Sequence, residues 1–251
     1  MPLFIVTGAS RGLGAAVARA AATADRTLLT MARGAVDASV AAAVRACGAA
    51  HEHWCVDLAE PAAVAARLEA WIAQRRTTAD GGATLVNNAG VLGPVGPVDA
   101  GSPEAIAAAL RIDLEAPILL TRAFLRATSD ANGPRRIVQV SSGAGRNAYA
   151  GWSIYGAAKA GLDHFARAVA LDEAQRRNPA RIVSLAPGVI DTAMQAELRD
   201  SDPAGFPELP RFLALHAKGQ LTTPEAAATR LLAFLDRPDF GAKPVADARD
   251  A

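Results

Sequence analysis

The run Leu3-Phe-Ile-Val-Thr7 leads directly into Gly8-Ala-Ser-Arg-Gly12-Leu-Gly14 and then into an alanine-rich stretch. Four apolar residues and a threonine, bounded by glycine, have the length of a strand, not of a helix. Glycines at 8, 12 and 14 permit a tight turn, close backbone approach and close packing of a helix on a sheet. Such a strand–turn–helix unit presents free N–H groups and the positive end of a helix dipole to an anion. The turn could serve structure alone, but its place between strand and helix favours a dinucleotide held by Gly8, Ser10, Arg11, Gly12, Leu13 and Gly14. No Gly-Lys-Ser/Thr follows, so it is not a Walker A loop.

The same alternation continues along the chain. Strands are predicted at residues 3–7, 27–32, 51–56, 83–87, 136–141 and 181–185, with a weaker one at 243–247. Helices are predicted at 12–24, 36–47, 61–76, 103–111, 115–128, 153–177 and 224–236. Apolar strands without clean alternation, separated by helices, imply a parallel sheet covered on both faces. The expectation is one α/β domain over residues 1–251, a doubly wound parallel sheet of about seven strands. The stretch 193–219 is rich in proline and poor in periodicity, and is expected to be an irregular segment covering a ligand.

Composition removes several function classes. The formal net charge of +1 offers no global electrostatic case for nucleic acid or for a membrane surface. Arg75-Arg76, Arg135-Arg136 and Arg176-Arg177 read as short solvated pairs. Two cysteines, Cys47 and Cys55, make no disulfide or zinc framework, which points to a reducing compartment. His51, His53 and Cys55 would share one strand face, but no carboxylate–histidine partner motif accompanies them, and no metal site is expected. Without a basic leader or a span of eighteen apolar residues, the chain is expected to be soluble and cytoplasmic.

Tyr155 and Lys159, in Ser153-Ile-Tyr-Gly-Ala-Ala-Lys159, carry the chemistry. Residues four apart share a helix face, so a phenol is held beside an ammonium. The neighbouring positive charge favours the phenolate and makes the tyrosine a stronger acid, able to protonate an alkoxide forming from a carbonyl. The second strand ends in Ala32-Arg33, where an aspartate would hold the ribose hydroxyls of NAD. Two guanidiniums, Arg11 and Arg33, and no carboxylate suit a 2′-phosphate, so NADP is expected over NAD.

Taken together these residues resemble the short-chain dehydrogenase/reductase family in its single-domain branch, over about residues 3–247. The markers run in order: the glycine turn, Asp57-Leu58, Asn87-Asn-Ala-Gly90, Ser141-Ser142, Tyr155-x-x-x-Lys159 and Pro187-Gly188. The resemblance implies a Rossmann sheet with NADPH as cofactor. It implies that Asp57 and Leu58 flank the adenine and that Asn88, Ala89 and Gly90 line the cofactor. Ser142, thirteen residues before Tyr155, matches the serine that orients the carbonyl oxygen; Ser141 is the competitor, disfavoured by spacing. Lys159 would also hold the nicotinamide ribose, and Pro187, Gly188, Val189 or Ile190, and Thr192 would close over the nicotinamide. Asp113 stands where the family usually places an asparagine that completes a proton path to the lysine.

Within the family the chain looks most like the sepiapterin reductase and bacterial benzil reductase group. Pterin-reducing members grip substrate with a carboxyl-terminal aspartate, to which Asp247 is the nearest match. The expected reaction is hydride transfer from NADPH to a small hydrophobic ketone, aldehyde or diketone, with Tyr155 as general acid. Trp152, Met194, Phe206, Leu209 and Phe212 are expected around an apolar pocket. Gly156, Ala157, Ala158, Ala160 and Gly161 would let a partner helix approach, giving a homodimer or homotetramer. Two rival readings are a non-enzymatic NADPH sensor, which would need no proton donor, and an NAD-dependent alcohol dehydrogenase, which Ala32 and Arg33 oppose.

Overall fold

The structure, a computed structural model, describes residues 1–75 and 81–250. Among these residues one sheet contains β1 (Leu3–Thr7), β2 (Thr27–Ala32), β3 (Ala50–Cys55), β4 (Ala83–Asn87), β5 (Arg135–Val140), β6 (Arg181–Ala186) and β7 (Val245–Asp247). All neighbours are parallel, in the order β3-β2-β1-β4-β5-β6-β7. The chain builds from β1 to one edge, then returns beside β1 as β4 and builds to the other. The reversal between β1 and β4 opens a crevice at the carboxyl ends of the strands, the usual ligand position in such sheets.

Both faces are covered. Along β1, Leu3 and Ile5 enter one core while Phe4 and Val6 enter the other. The first core packs beneath α3 (Pro61–Ala73), α5 (Ala116–Ala127) and α6 (Ser153–Glu173), with α2 (Ala38–Cys47) preceding α3 and α4 (Pro103–Leu110) preceding α5 in the chain. The second packs beneath α1 (Gly12–Ala21) and α9 (Pro224–Leu235). Helix starts are written locally. Ser102 and Thr223 accept from the N–H groups of Ala105 and Ala226, each at 3.2 Å, and a proline occupies the first turn of α4 and α9.

Several expectations change. The stretch 193–219 is not irregular: it contains α7 (Ala193–Arg199) and α8 (Leu209–Ala217). Pro210 sits in the first turn of α8, where its missing N–H has no helical partner to lose, so it starts the helix rather than breaking it. Arg135 is not a solvated surface residue. It is buried at the start of β5, donating to Glu173 Oε2 at 3.0 Å and to the carbonyls of Asn178 and Leu125. Arg76 and the expected end of the third helix at residue 76 lie outside the described residues. Between α4 and α5 the helix does not stop; it widens into a π turn over Arg111–Glu115 that carries Asp113 inward.

No helix among the described residues is long and apolar enough to cross a membrane. On α6 the glycines face the chain's own interior: a Cβ at Gly156 would meet the Ala144 carbonyl at 3.2 Å, and one at Gly161 the Leu114 side chain at 3.0 Å. Ala158 is buried, so the exposed part of the small-residue stripe is Ala157 and Ala160.

Candidate active site

A cavity of about 930 Å³ opens at the β1–β4 reversal and runs from Arg33 and Asp57 to Phe212. Each residue expected around the cofactor lines it: the glycine turn, Asp57 and Leu58, Asn88 through Gly90, and Pro187 through Thr192. Ser142, Tyr155 and Lys159 stand on the same wall. Close backbone approach shapes the floor, since a Cβ at Gly14 would collide with the Gly8 carbonyl oxygen. Only a glycine lets the start of α1 pack there. Thr7 ties the floor together: its hydroxyl oxygen accepts from the N–H groups of Asn88 and Ala89, both at 3.0 Å, and Asn88 Nδ2 donates to the Thr7 carbonyl at 2.9 Å.

Arg11 precedes α1 without capping it through its side chain, and Arg33 lies in the turn after β2. Both guanidiniums are exposed on the cavity wall, with no ion-pair or hydrogen-bond partner among the described residues. The Asp57 carboxylate accepts from the Ala59 N–H at 2.9 Å, at the entry to α3. The 187–192 segment is stapled: the Thr222 N–H donates to the Val189 carbonyl and the Asp191 N–H to the Thr222 carbonyl, each at 2.9 Å. A Cβ at Gly12 would meet Thr192 Cγ2 at 3.3 Å, so this segment closes over the glycine turn.

Tyr155 and Lys159 are both buried in α6. Lys159 Nζ stands 5.4 Å from the centre of the Tyr155 ring and donates to the Val140 carbonyl at 3.2 Å. Ser142 ends the extended backbone after β5, and its hydroxyl oxygen accepts from the Ala144 N–H at 3.2 Å. Gly145 lets this turn rest on α6, because a Cβ there would sit 2.8 Å from the Lys159 carbonyl carbon. The serine's own proton is left for an acceptor in the cavity. An arrangement of two hydroxyls and one ammonium can hold a carbonyl oxygen and protonate it.

Asp113 does not line the cavity. It lies behind the wall, where Oδ1 accepts from the Val91 N–H at 2.8 Å, and a Cβ at Gly90 would meet Asp113 Oδ1 at 3.1 Å and Lys159 Nζ at 3.5 Å. Burial pushes its carboxyl above the ordinary aspartate range, and this outweighs the opposing pull of the Lys159 charge and the Val91 N–H.

The apolar pocket is partly as expected. Trp152, Met194 and Phe212 line the cavity, but Phe206 and Leu209 do not. They are buried behind it, with the Phe206 ring 5.2 Å from Trp152 and 5.8 Å from Phe212. Asp247 is likewise absent from the wall. Its carboxylate is engaged by Arg249 at 2.7 and 2.8 Å, and Arg249 lines the cavity instead. Tyr149, Gln195 and Arg211 also face it and carried no sequence signal, being ordinary loop and helix residues placed there by the tertiary fold.

Comparison with known proteins agrees with this geometry. A family described as short chain dehydrogenase matches residues 3–203. A benzil reductase ((S)-benzoin forming) of Bacillus subtilis (strain 168) is 32% identical over 237 residues, 94% of each chain. Its namesake from Bacillus cereus is 38% identical over 156 residues, 62% of this chain and 63% of the other. Sepiapterin reductase of Bos taurus is 32% identical over 160 residues, 62% and 58% of the two chains. Among solved structures, the KRED1-Pglu enzyme superposes with a TM-score of 0.80 at 28% identity, covering 97% of this chain and 99% of that one. A gluconate 5-dehydrogenase-like protein of Beutenbergia cavernae with bound NADP gives 0.79 at 26% identity, covering 98% and 94%. A 3-oxoacyl-[acyl-carrier protein] reductase of Brucella melitensis in complex with NAD gives 0.78 at 25% identity, covering 98% and 95%.

Proposed function

The chain belongs to the short chain dehydrogenase family of oxidoreductases, and from that premise we propose that it is an NADPH-dependent reductase of small apolar ketones, aldehydes or diketones. The observation that carries this reading is that Ser142, Tyr155 and Lys159 share one cavity with the glycine turn at the start of α1. The residues fit a phosphorylated dinucleotide: glycine keeps the floor open, and Arg11 and Arg33, unpartnered among the described residues, would stand at its adenosine end. A bound reduced nicotinamide supplies the hydride; the rest of the chemistry falls to the protein.

Ser142 donates to the carbonyl oxygen as negative charge develops there, and Tyr155 delivers the proton that neutralises it. Both interactions are stronger with an oxyanion than with a neutral carbonyl, which is the condition for acceleration. Lys159 stabilises the phenolate left on Tyr155. The Trp152 ring, 5.1 Å from Tyr155, and Phe212 favour an aromatic group beside the carbonyl. The benzil reductase relatives support a diketone such as benzil as the first substrate to try.

The test is oxidation of NADPH in the presence of benzil and related diketones, with NADH in parallel. Tyr155→Phe is expected to lose about 10²-fold or more in turnover. Retained turnover in that variant would remove the acid from Tyr155. A homodimer or homotetramer remains part of the proposal, supported by the exposed Ala157, Ala160 and Leu171 along α6, as does a cytoplasmic location.

A further inference from the structure

His51-Glu-His-Trp-Cys55 is left over from the active site, and its two imidazoles are not idle. Both project from the edge strand β3 on the same face and straddle Thr30 of β2, which pairs in register with His53. Thr30 Oγ1 lies 2.9 Å from His51 Nε2 and 2.9 Å from His53 Nδ1. The other nitrogen of His53, Nε2, lies 2.9 Å from the carbonyl oxygen of Gly34. Gly34 follows Arg33 in the turn between β2 and α2, and both residues line the cavity.

That carbonyl fixes the direction of the whole chain. A carbonyl only accepts, so His53 Nε2 carries a hydrogen. In the neutral ring Nδ1 is then an acceptor, and the Thr30 hydroxyl donates to it. The Thr30 oxygen in turn accepts from His51 Nε2–H. Burial pushes the His51 imidazole down, which favours its neutral form.

The turn needs such a strut. Arg33, Gly34 and Ala35 are exposed, and a Cβ at Gly34 would find nothing within 4 Å, so side-chain packing begins only at Val36, which rests against the second core. At its far end Asp37 accepts from the Ser39 N–H at 2.8 Å. At its near end the Gly34 carbonyl is held by His53, with Cys55 Sγ a weaker donor at 3.7 Å.

We propose that His53, backed by Thr30 and His51, is a positioning residue for the cofactor's 2′-phosphate, acting by fixing the Arg33–Gly34 turn through the Gly34 carbonyl. The proposal rests on the NADP reading above. The probes are NADP⁺ and NAD⁺, and the measurement is their dissociation constant by titration calorimetry, which needs no turnover. The wild-type protein is expected to bind NADP⁺ more tightly. His53→Ala should weaken NADP⁺ roughly threefold to tenfold, the worth of one hydrogen bond, and leave NAD⁺ within about twofold. His53→Gln places an amide nitrogen where Nε2 stood and should restore NADP⁺ binding. In an Arg33→Ala background, His53→Ala should add no further loss.

Unchanged NADP⁺ affinity in His53→Ala would overturn the proposal. So would an equal loss for both dinucleotides, or a folded His53→Gln protein as weak as His53→Ala. Equal affinities in the wild-type protein would instead overturn the cofactor reading itself, and would be seen before any variant is made.

Discussion

Ser141 donates its hydroxyl proton to Asp163 across 2.7 Å, whereas its neighbour Ser142 keeps its own proton for the cavity. Asp163 also accepts from Ser184 at 2.6 Å and from Arg146 at 3.3 Å, so Ser141 belongs to a buried network that ties β5, β6 and α6 together. The two serines therefore separate by role. Ser142→Ala is expected to lower kcat by about 10²-fold with little effect on unfolding, as for the loss of one donor to an oxyanion. Ser141→Ala is expected to leave kcat within a few-fold and to cost roughly 1–2 kcal/mol in denaturant unfolding. The opposite pattern would reassign the substrate-facing hydroxyl to Ser141.

Asp113 supplies a pH signature. Its carboxyl is raised in the folded protein, mainly by burial, so between the unfolded and folded values the native state keeps a proton that the unfolded chain has released. Stability from this group is present below the unfolded value, about 4, and is lost as pH rises through the folded one. Asp113→Asn has no proton to release and keeps an oxygen for the Val91 N–H. The variant should be more stable than the wild type at pH values above the folded one, with the gap closing as pH falls through the folded value and gone below about 4. Parallel denaturation midpoints across that range would show that the carboxyl carries no such cost.

The fold and the glycine-turn end of the cavity were legible because they rest on local rules. Glycines at 8, 12 and 14, and proline or hydroxyl residues at helix starts, act within a few residues of themselves. The opposite end was not, because it is assembled from distant segments. Arg249 reaches the cavity while Asp247, two residues earlier, turns away to pair with it. The aromatic residues of 193–219 are a core in their own right, which is why Phe206 packs behind Trp152 instead of facing substrate. Arg135 shows the same limit: two adjacent arginines look solvated until a fold supplies Glu173 at 3.0 Å.

Arg33 and Arg11 should govern cofactor choice. A charge-assisted contact to phosphate is worth about 1.5–3 kcal/mol, so Arg33→Ala should lower kcat/KM for NADPH by roughly tenfold to a hundredfold. The value for NADH should barely move, because it lacks the 2′-phosphate. Arg11→Ala should act in the same direction, and raised salt should weaken NADPH more than NADH. Equal losses with both cofactors would place these guanidiniums on the shared pyrophosphate instead.

Phe206 and Met194 test whether the aromatic cluster supports the pocket or touches the substrate. Phe206 is completely buried between Trp152 and Phe212, so Phe206→Ala should cost about 3–5 kcal/mol in unfolding free energy. Its effect on KM would come only through movement of Trp152, which stands 5.1 Å from Tyr155. Met194 lines the cavity from the first turn of α7 and is only partly buried. Met194→Ala should therefore shift KM for aromatic diketones while leaving the denaturation midpoint nearly unchanged. If Met194→Ala instead destabilised the fold and left KM untouched, the substrate would lie elsewhere along the cavity, nearer Tyr149 and Arg249.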